Sequence, residues 1–263
     1  MGDVTICPIC GYKLSGVRCP KCNAVYPKSL KEQFTFYDEF YDDKFLIISY
    51  LRRPRVYQTI ANKILNISKS KGDRIFIDIG ASFGISIILF QQYGKAIGVE
   101  LDIPQLREWH KFLGIESAMR YINKDDNIKS FYAKLAEELS GEIDSIFIID
   151  TLRYIPLPEL IDILSICLKE MGTIVIKEIN PDNRNIFVKR LSGEHSDVIM
   201  YSPKTINYIA QKNKLTISWY IVHSAVDNFA IKIPYNILRI LRPATYIAVL
   251  EKEGKNDNYN TST

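Results

Sequence analysis

Four cysteines near the N-terminus have the spacing of a metal site: Cys7, Cys10, Cys19 and Cys22 form two Cys-x2-Cys pairs with eight residues between the pairs. A two-residue gap lets both thiolates of a tight turn reach one metal ion, and four sulfur ligands in a tetrahedron suit Zn2+. Four protein ligands leave no open coordination position, so we expect zinc to be structural there. The alternatives are two disulfides, which a reducing compartment disfavours, and four free thiols.

A glycine loop further along the chain has the composition of a nucleoside site. Residues 78–84 read Asp-Ile-Gly-Ala-Ser-Phe-Gly and lie between a predicted strand and a predicted helix. Glycines let the chain turn and let a ligand approach the backbone, and the N-terminus of the helix faces the crevice. Glu100, twenty residues after Gly80, ends the second predicted strand, where a carboxylate can accept hydrogen bonds from both ribose hydroxyls. Ordinary polarity at strand ends is the alternative interpretation.

The segments around this loop alternate between apolar strands and amphipathic helices up to residue 179, which predicts an α/β fold with a parallel sheet covered on both faces. The alternation breaks after Asn180-Pro181.

The N-terminal segment with the four cysteines, about thirty residues long, has few apolar side chains and cannot build its own core, so we expect the metal to supply its folding energy. The predicted division is a zinc ribbon at 1–33, a helical lead-in at 34–73, an α/β domain at 74–252 with insertions at 180–201 and 223–243, and a disordered tail at 253–263.

The glycine loop resembles motif I, D-x-G-x-x-x-G, of class I S-adenosylmethionine (SAM)-dependent methyltransferases, with Asp78 as its acid and Ser82 where a middle glycine is usual. Residues 98–102 resemble motif II of that family, residues 144–152 resemble motif IV, and residues 168–174 resemble the start of the fifth strand. A four-cysteine segment followed by an aromatic and acidic stretch and then this fold is the layout of one subgroup. The resemblance covers residues 7–250 and implies a Rossmann-like, mostly parallel, seven-stranded sheet.

The resemblance also implies a set of site residues. Asp125 or Asp126 is expected to accept a hydrogen bond from the adenine amine. The residues expected to contact SAM are Asp78, Gly80, Ala81, Ser82, Gly84, Glu100, Asp125, Asp126, Asp150 and Thr151. Asp150 and Thr151 end the fourth strand, where residues facing the methyl acceptor lie in this fold.

A general base is needed only if the acceptor must lose a proton. His195, in a polar loop, is the first candidate, although an exposed loop histidine is the alternative. Asp150 and Tyr201 complete the catalytic candidates. The subgroup often has Leu-Glu-His after motif IV, whereas this chain has Leu152-Arg153-Tyr154, so that acid and base are missing. We expect His110 to be at the surface or half buried.

Composition limits the function classes. Apolar residues make up 47% and charged residues 24%, which excludes a disordered or collagenous chain. Thirty-four Lys and Arg against 30 Asp and Glu give a net charge of +4, too mild to indicate a nucleic-acid partner. No apolar run reaches the length of about 18 residues that a spanning helix needs, and no signal peptide is evident, so we expect a cytoplasmic protein.

Three functions follow as alternatives. The first is a SAM-dependent methyltransferase acting on a small-molecule, glycan or lipid-like acceptor. The second is an rRNA or tRNA methyltransferase, because zinc-ribbon rRNA guanine-N1 methyltransferases share this order of segments. In that case the ribbon and the basic segment 44–74 would contact RNA, with Arg52, Arg53 and Arg55 on phosphates. The third is a degenerate SAM-fold adaptor without catalysis.

The apolar and basic segment 228–243 has two interpretations of its own. It could lie on a membrane surface or cover a lipid-like acceptor. The alternative, which we favour, is a helix packed on the edge of the domain.

Overall fold

The computed structural model describes residues 6–26, 53–67, 73–155, 157–183, 199–222 and 230–253. The predicted tail beyond residue 253, residues 184–198 of the first insertion with His195, residues 223–229 of the second, and residues 27–52 with Arg52 lie outside these ranges. The described part is an α/β fold in which one sheet carries helices on both faces. The helices are α1 (Arg53–Thr59), α2 (Ile85–Phe90), α3 (Pro104–Phe112), α4 (Ile128–Glu138), α5 (Leu160–Cys167), α6 (Pro203–Lys212) and α7 (Tyr235–Leu241).

Eight strands form the sheet within the described residues, in the order β3-β2-β1-β4-β5-β8-β6-β7. Neighbours among the first five strands pair in parallel, whereas β8 is antiparallel to both β5 and β6. The strands are β1 (Ile75–Ile79), β2 (Lys95–Leu101), β3 (Met119–Ile122), β4 (Ile143–Ile149), β5 (Leu168–Ile179), β6 (Leu215–Val222), β7 (Ala230–Ile233) and β8 (Thr245–Lys252).

The sheet therefore has one strand more than the seven expected. The addition is β7, which pairs antiparallel with β6 at the edge of the sheet. Its four residues are exposed or half-exposed, so the strand lacks the buried apolar run by which the other strands were predicted. Within the segment 228–243, residues 230–233 form this strand and residues 235–241 form the short helix α7.

Each face of the sheet has its own apolar cluster. On one face, Phe90 stacks on Phe147 with ring centroids 4.2 Å apart, and Tyr57 of α1 meets both rings edge-on. On the other face, α4, α5 and α6 cover the strands, and the cluster extends into the cysteine-rich segment. No helix among the described residues is long and apolar enough to cross a bilayer.

The cysteine-rich segment packs against the sheet domain. Val25 forms a two-way backbone bridge with Met200, and the hydroxyl of Thr205 donates to the carbonyl of Cys22 at 3.0 Å. The side-chain amide of Asn23 donates to Asp182 at 3.2 Å and to Ser202 at 3.1 Å. The segment therefore shares its buried surface with the larger domain.

Candidate functional site

The candidate site lies where the strand order reverses. β1 is flanked by β2 and β4, and the helices that follow them, α2 after β1 and α5 after β4, pack in the apolar clusters of opposite faces. In open parallel sheets, ligands bind in the crevice at such a switch point. Gly80 follows β1 and Thr151 follows β4, and a Cβ placed on Gly80 would lie 2.2 Å from Cγ2 of Thr151. Gly80 also has φ +75°, which favours glycine, so both the backbone conformation and the closeness of Thr151 disfavour any side chain there.

The glycine loop depends on two further residues with positive φ. Gly84 has φ +74°, and a Cβ on it would lie 2.1 Å from Cδ1 of Ile115. Ser82 takes the place of the usual middle glycine and has φ +51°. It is 3% exposed, and its hydroxyl has no hydrogen-bond partner within the described ranges. A buried hydroxyl left in this state costs free energy that a ligand atom could recover.

Glu100 holds the loop from the end of β2. It is 4% exposed, and its Oε2 accepts a hydrogen bond from the backbone N–H of Ser82 at 2.7 Å. Its Oε1 accepts from the N–H of Leu101 at 2.8 Å. A carboxylate has about four acceptor sites, so these two bonds do not by themselves exclude a ribose hydroxyl.

A cleft opens beside Glu100. It holds about 390 Å3 when its mouth is counted, but the centre of a water molecule can reach only about 30 Å3 of it. A nucleoside would therefore have to widen the cleft. Its walls are mostly apolar, and they are formed by Gly80, Val99, Glu100, Leu101, Ile122, Ile128, Tyr132, Thr151, Tyr154 and Ile155.

Three of the predicted cofactor residues, Gly80, Glu100 and Thr151, line this cleft. Ala81, Ser82 and Gly84 belong to the adjoining loop. The structure does not bring Asp125 and Asp126 into the cleft: both are exposed, and Asp126 accepts hydrogen bonds from the backbone and side chain of Asn123.

Asp78 ties two helices to the sheet. It is 1% exposed, and its Oδ2 accepts from the hydroxyl of Tyr57 on α1 at 2.9 Å and from the hydroxyl of Ser86 on α2. Asp78 therefore has a structural role, because it joins α1 and α2 to the end of β1.

Asp150 and Thr151 continue from β4. Asp150 has φ +59°, and its Oδ2 accepts from Nζ of Lys177 at 2.6 Å. The hydroxyl of Thr151 donates to the carbonyl of Ile149 at 3.0 Å.

A buried ion pair stands next to Asp150. Nη1 of Arg153 lies 2.6 Å from Oε2 of Glu178, with side chains 8% and 2% exposed. Burial raises the pKa of Glu178, and the positive charge of Arg153 opposes that rise. Sequence analysis noted Arg153 only as a departure from Leu-Glu-His. The register of β4 on β5, which pairs Ile149 with Lys177, places both charges at the same edge, and local spacing in the sequence does not carry that register.

His110 contacts the glycine loop, and sequence analysis predicted its burial wrongly. It is fully buried instead of exposed or half buried. Its Nε2 donates to the carbonyl of Ser82 at 2.6 Å, and its Nδ1 accepts from the hydroxyl of Tyr121 at 2.9 Å. Burial lowers the pKa of His110, which keeps the ring neutral. His110 thus holds the carbonyl side of Ser82 while Glu100 holds the N–H side.

Tyr201 is buried away from the cleft. It is 2% exposed, its hydroxyl has no hydrogen-bond partner within the described part of the chain, and burial raises its pKa. Its backbone carbonyl accepts from the hydroxyl of Tyr246 at 2.7 Å. It lines neither the cleft nor the second cavity considered below.

The four clustered cysteines converge. Their sulfur atoms all lie within 4.8 Å of one another, with 3.6 Å between Cys7 and Cys22 and 3.5 Å between Cys10 and Cys19. Zn–S bonds of about 2.3 Å in a tetrahedron put sulfur atoms about 3.8 Å apart. None of the four forms a disulfide. The donor set and its spacing fit a tetrahedral, four-sulfur metal site.

Comparison with known proteins bears on the fold. No family model and no curated protein sequence matches the chain. Among solved structures, a SAM-dependent methyltransferase from Archaeoglobus fulgidus superposes with a TM-score of 0.51 at 17% identity, covering 83% of this chain and 99% of that one. Geranyl diphosphate C-methyltransferase from Streptomyces coelicolor, solved with S-adenosyl-L-homocysteine, gives 0.50 at 15% identity, covering 82% and 88%.

A third match comes from the complex of a Haloferax volcanii methyltransferase with the Trm112 methyltransferase activator. Its TM-score is 0.53 at 12% identity, covering 77% of this chain and 92% of that one. At these identities the likeness concerns the fold. The chain has the fold of SAM-dependent methyltransferases.

Proposed function

We propose that this protein is a SAM-dependent methyltransferase with a small-molecule, glycan or lipid-like acceptor. The observation that carries the proposal is the juxtaposition of Glu100 and the glycine loop at one cleft, at the switch point of a sheet with the methyltransferase strand order. A carboxylate, backbone N–H groups and apolar walls are what the ribose and adenine of SAM require.

Each group in the cleft has a proposed role. Glu100 accepts hydrogen bonds from the ribose hydroxyls, and the side chains of Leu101, Ile122 and Ile128 pack on the adenine ring. Bound SAM supplies an activated methyl group on a sulfonium. The protein then has to align the acceptor and exclude water. Asp150 and Thr151 are proposed to face the acceptor, and His195 remains the proposed base where a proton must leave.

We also propose that Cys7, Cys10, Cys19 and Cys22 hold a structural Zn2+. The sulfur spacing supports a tetrahedral site, and the hydroxyl of Tyr26 lies 2.9 Å from the sulfur of Cys7, where it can donate to a thiolate. Four sulfur ligands leave no position for a substrate, so the ion stabilises the segment and takes no part in methyl transfer.

Titration calorimetry with S-adenosyl-L-homocysteine tests the cofactor site. We expect Glu100→Gln to weaken binding about 10-fold or more, because hydrogen bonds to a charged acceptor contribute about 1.5–3 kcal/mol. Glu142→Gln, the same change at an exposed residue, is the matched control. Equal affinity in Glu100→Gln and the parent would refute the site.

The alternatives give different results. A parent protein that does not bind SAM would support the adaptor without catalysis. Salt-sensitive RNA binding that is lost on charge reversal at Arg52, Arg53 and Arg55 would support the RNA methyltransferase.

A further inference from the structure

A second, larger cavity lies where the cysteine-rich segment meets the end of β5, the start of α6 and the helix α7. The centre of a water molecule can reach about 310 Å3 of it, about ten times the corresponding volume of the first cleft. It belongs to the range of about 300–1,000 Å3 found for small-molecule sites. Its walls are polar in large part, and they are formed by Asn23, Asn180, Asp182, Pro203, Lys204, Tyr235, Leu238, Arg239 and Arg242.

The charge of this cavity is positive. Lys204, Arg239 and Arg242 line it, and none of the three has a carboxylate within 4.0 Å in the described ranges. Asp182 is the one acid among the lining residues. It is already paired, because Nη1 of Arg18 lies 2.7 Å away and the amide of Asn23 donates to it at 3.2 Å. Among the described residues, three cations therefore line the cavity with no carboxylate within 4.0 Å of them.

A buried amide adds a neutral donor. Asn180 is 1% exposed and lines the cavity. Its Oδ1 accepts from the backbone N–H of Asp182 at 3.0 Å, while its amide nitrogen has no acceptor among the residues that the structure describes. An amide nitrogen carries two N–H donors, so this group can donate to a ligand oxygen in the cavity.

The cavity wall is held in place before any ligand arrives. Leu238 anchors α7 in the core, and the ring of Tyr235 stacks on Trp219 with centroids 5.5 Å apart. Arg242 follows α7 as its C-terminal cap with φ +44°, and its carbonyl accepts from the side chain of Asn183. A left-handed conformation is costly for a residue other than glycine, so the surrounding contacts must impose it.

We propose that this cavity binds the phosphate group of a ligand. Several cations around a buried amide donor suit an anion with more than one charge and several oxygens, and arginine is the side chain that binds phosphate in a bidentate way. The cavity lies at the carboxyl end of β5, on the same edge of the sheet as Thr151. That placement assigns the phosphate to the methyl acceptor, an assignment that rests on the proposed function, whereas phosphate binding itself does not.

Two sources could supply this phosphate, a soluble phosphorylated molecule or a lipid headgroup. Ile237, Ile240 and Leu241 of α7 are exposed apolar side chains beside Arg239 and Arg242, so both sources have access. The experiment uses the full chain without SAM. Pyrophosphate and inorganic phosphate are titrated by calorimetry, and vesicles containing phosphatidic acid are tested by co-sedimentation against vesicles of phosphatidylcholine alone.

We expect saturable pyrophosphate binding that falls about 10-fold or more in Arg239→Gln and in Arg242→Gln, since each change removes a charged donor from the anion. Arg120→Gln, an exposed arginine on β3 outside the cavity, is the control and should bind as the parent does. Vesicle binding without pyrophosphate binding, lost in the same two variants, would assign the phosphate to a lipid headgroup. No binding of any probe, equal binding in parent and variants, or binding of an RNA oligonucleotide alone would overturn the proposal.

The same titrations separate this proposal from the cofactor site. Arg242→Gln should retain S-adenosyl-L-homocysteine binding. A parent that binds pyrophosphate but not the cofactor would remove the proposed function and leave the phosphate site.

Discussion

Gly80 is constrained by its positive φ and by the closeness of the Thr151 side chain, and experiment can separate the two effects. Gly80→Ala places a methyl group against Thr151 at φ +75°, whereas Gly141 has a similar φ of +71° and open space within 4 Å of the point where a Cβ would lie. We expect Gly141→Ala to cost about 1–2 kcal/mol for the backbone alone. Gly80→Ala should cost about 1–3 kcal/mol more because of the overlap. Urea denaturation of both variants measures the difference, and equal losses would show that Thr151 moves aside without cost.

His110 should make stability depend on pH. Its folded pKa is lowered by burial, so the unfolded chain takes up the proton first as pH falls. The stabilisation is therefore complete above the unfolded value of about 6.5 and is lost as pH falls below it. Glu116 and Arg107 act on the ring with opposite signs. Denaturation at about pH 7.5 and about pH 5.5, on either side of that value, should show a smaller difference in His110→Gln than in the parent. An unchanged difference would contradict a neutral, buried ring.

The glycine loop and Glu100 could be proposed as a site from the sequence, because the pattern consists of residue types at a local spacing. Sequence analysis missed the role of His110, because the partner carbonyl of Ser82 is 28 residues away and only the packing of α3 brings the two together. The sequence shows that Ser82 replaces a middle glycine. It does not show that Glu100 binds the N–H of Ser82 while His110 binds its carbonyl.

At the scale of elements, the Arg153–Glu178 pair joins the turn after β4 to the end of β5. Arg153→Met leaves Glu178 buried without a counter-charge, and we expect a loss of about 3–5 kcal/mol. The double variant Arg153→Met, Glu178→Met should recover much of it, since it removes both charges. Lys169→Met breaks the more exposed pair with Asp144, at 2.8 Å, and should cost about 0–1 kcal/mol. Denaturation curves measure all three, and a double variant as unstable as the single one would contradict this account.

Buried strands could be predicted from the sequence, whereas the exposed edge strand could not. The central strands were predicted because they are apolar runs buried on both faces. The edge strand β7 has no such run, and its pairing depends on β6 instead of on its own residues. Pairing across a sheet is a long-range property, which local spacing does not carry.

At the scale of the whole molecule, the proposed zinc should stabilise more than the cysteine-rich segment. Its buried side chains share one apolar cluster with the sheet, and Cys22 and Val25 bond to residues after 199. We expect a chelator to lower the melting temperature of the entire chain in one transition. Cys19→Ser should bind no zinc and show no further effect of chelator. Cys167→Ser changes a buried thiol that is not one of the four clustered cysteines, and it should respond to chelator as the parent does. Metal analysis and calorimetry measure both, and an unaffected transition would contradict the shared core.

The order of strands also sets an order of events during synthesis. β8 lies between β5 and β6 in the sheet, although it follows both along the chain. While the ribosome is making residues 215–233, β6 and β7 cannot join the sheet in their final place, because β8, the strand that links β6 to β5, does not yet exist. The five parallel strands can assemble first, and the last part of the sheet closes only once residues 245–252 have left the exit tunnel. Until then β5 presents an unpaired edge, which is the interval in which a nascent chain is most exposed to aggregation.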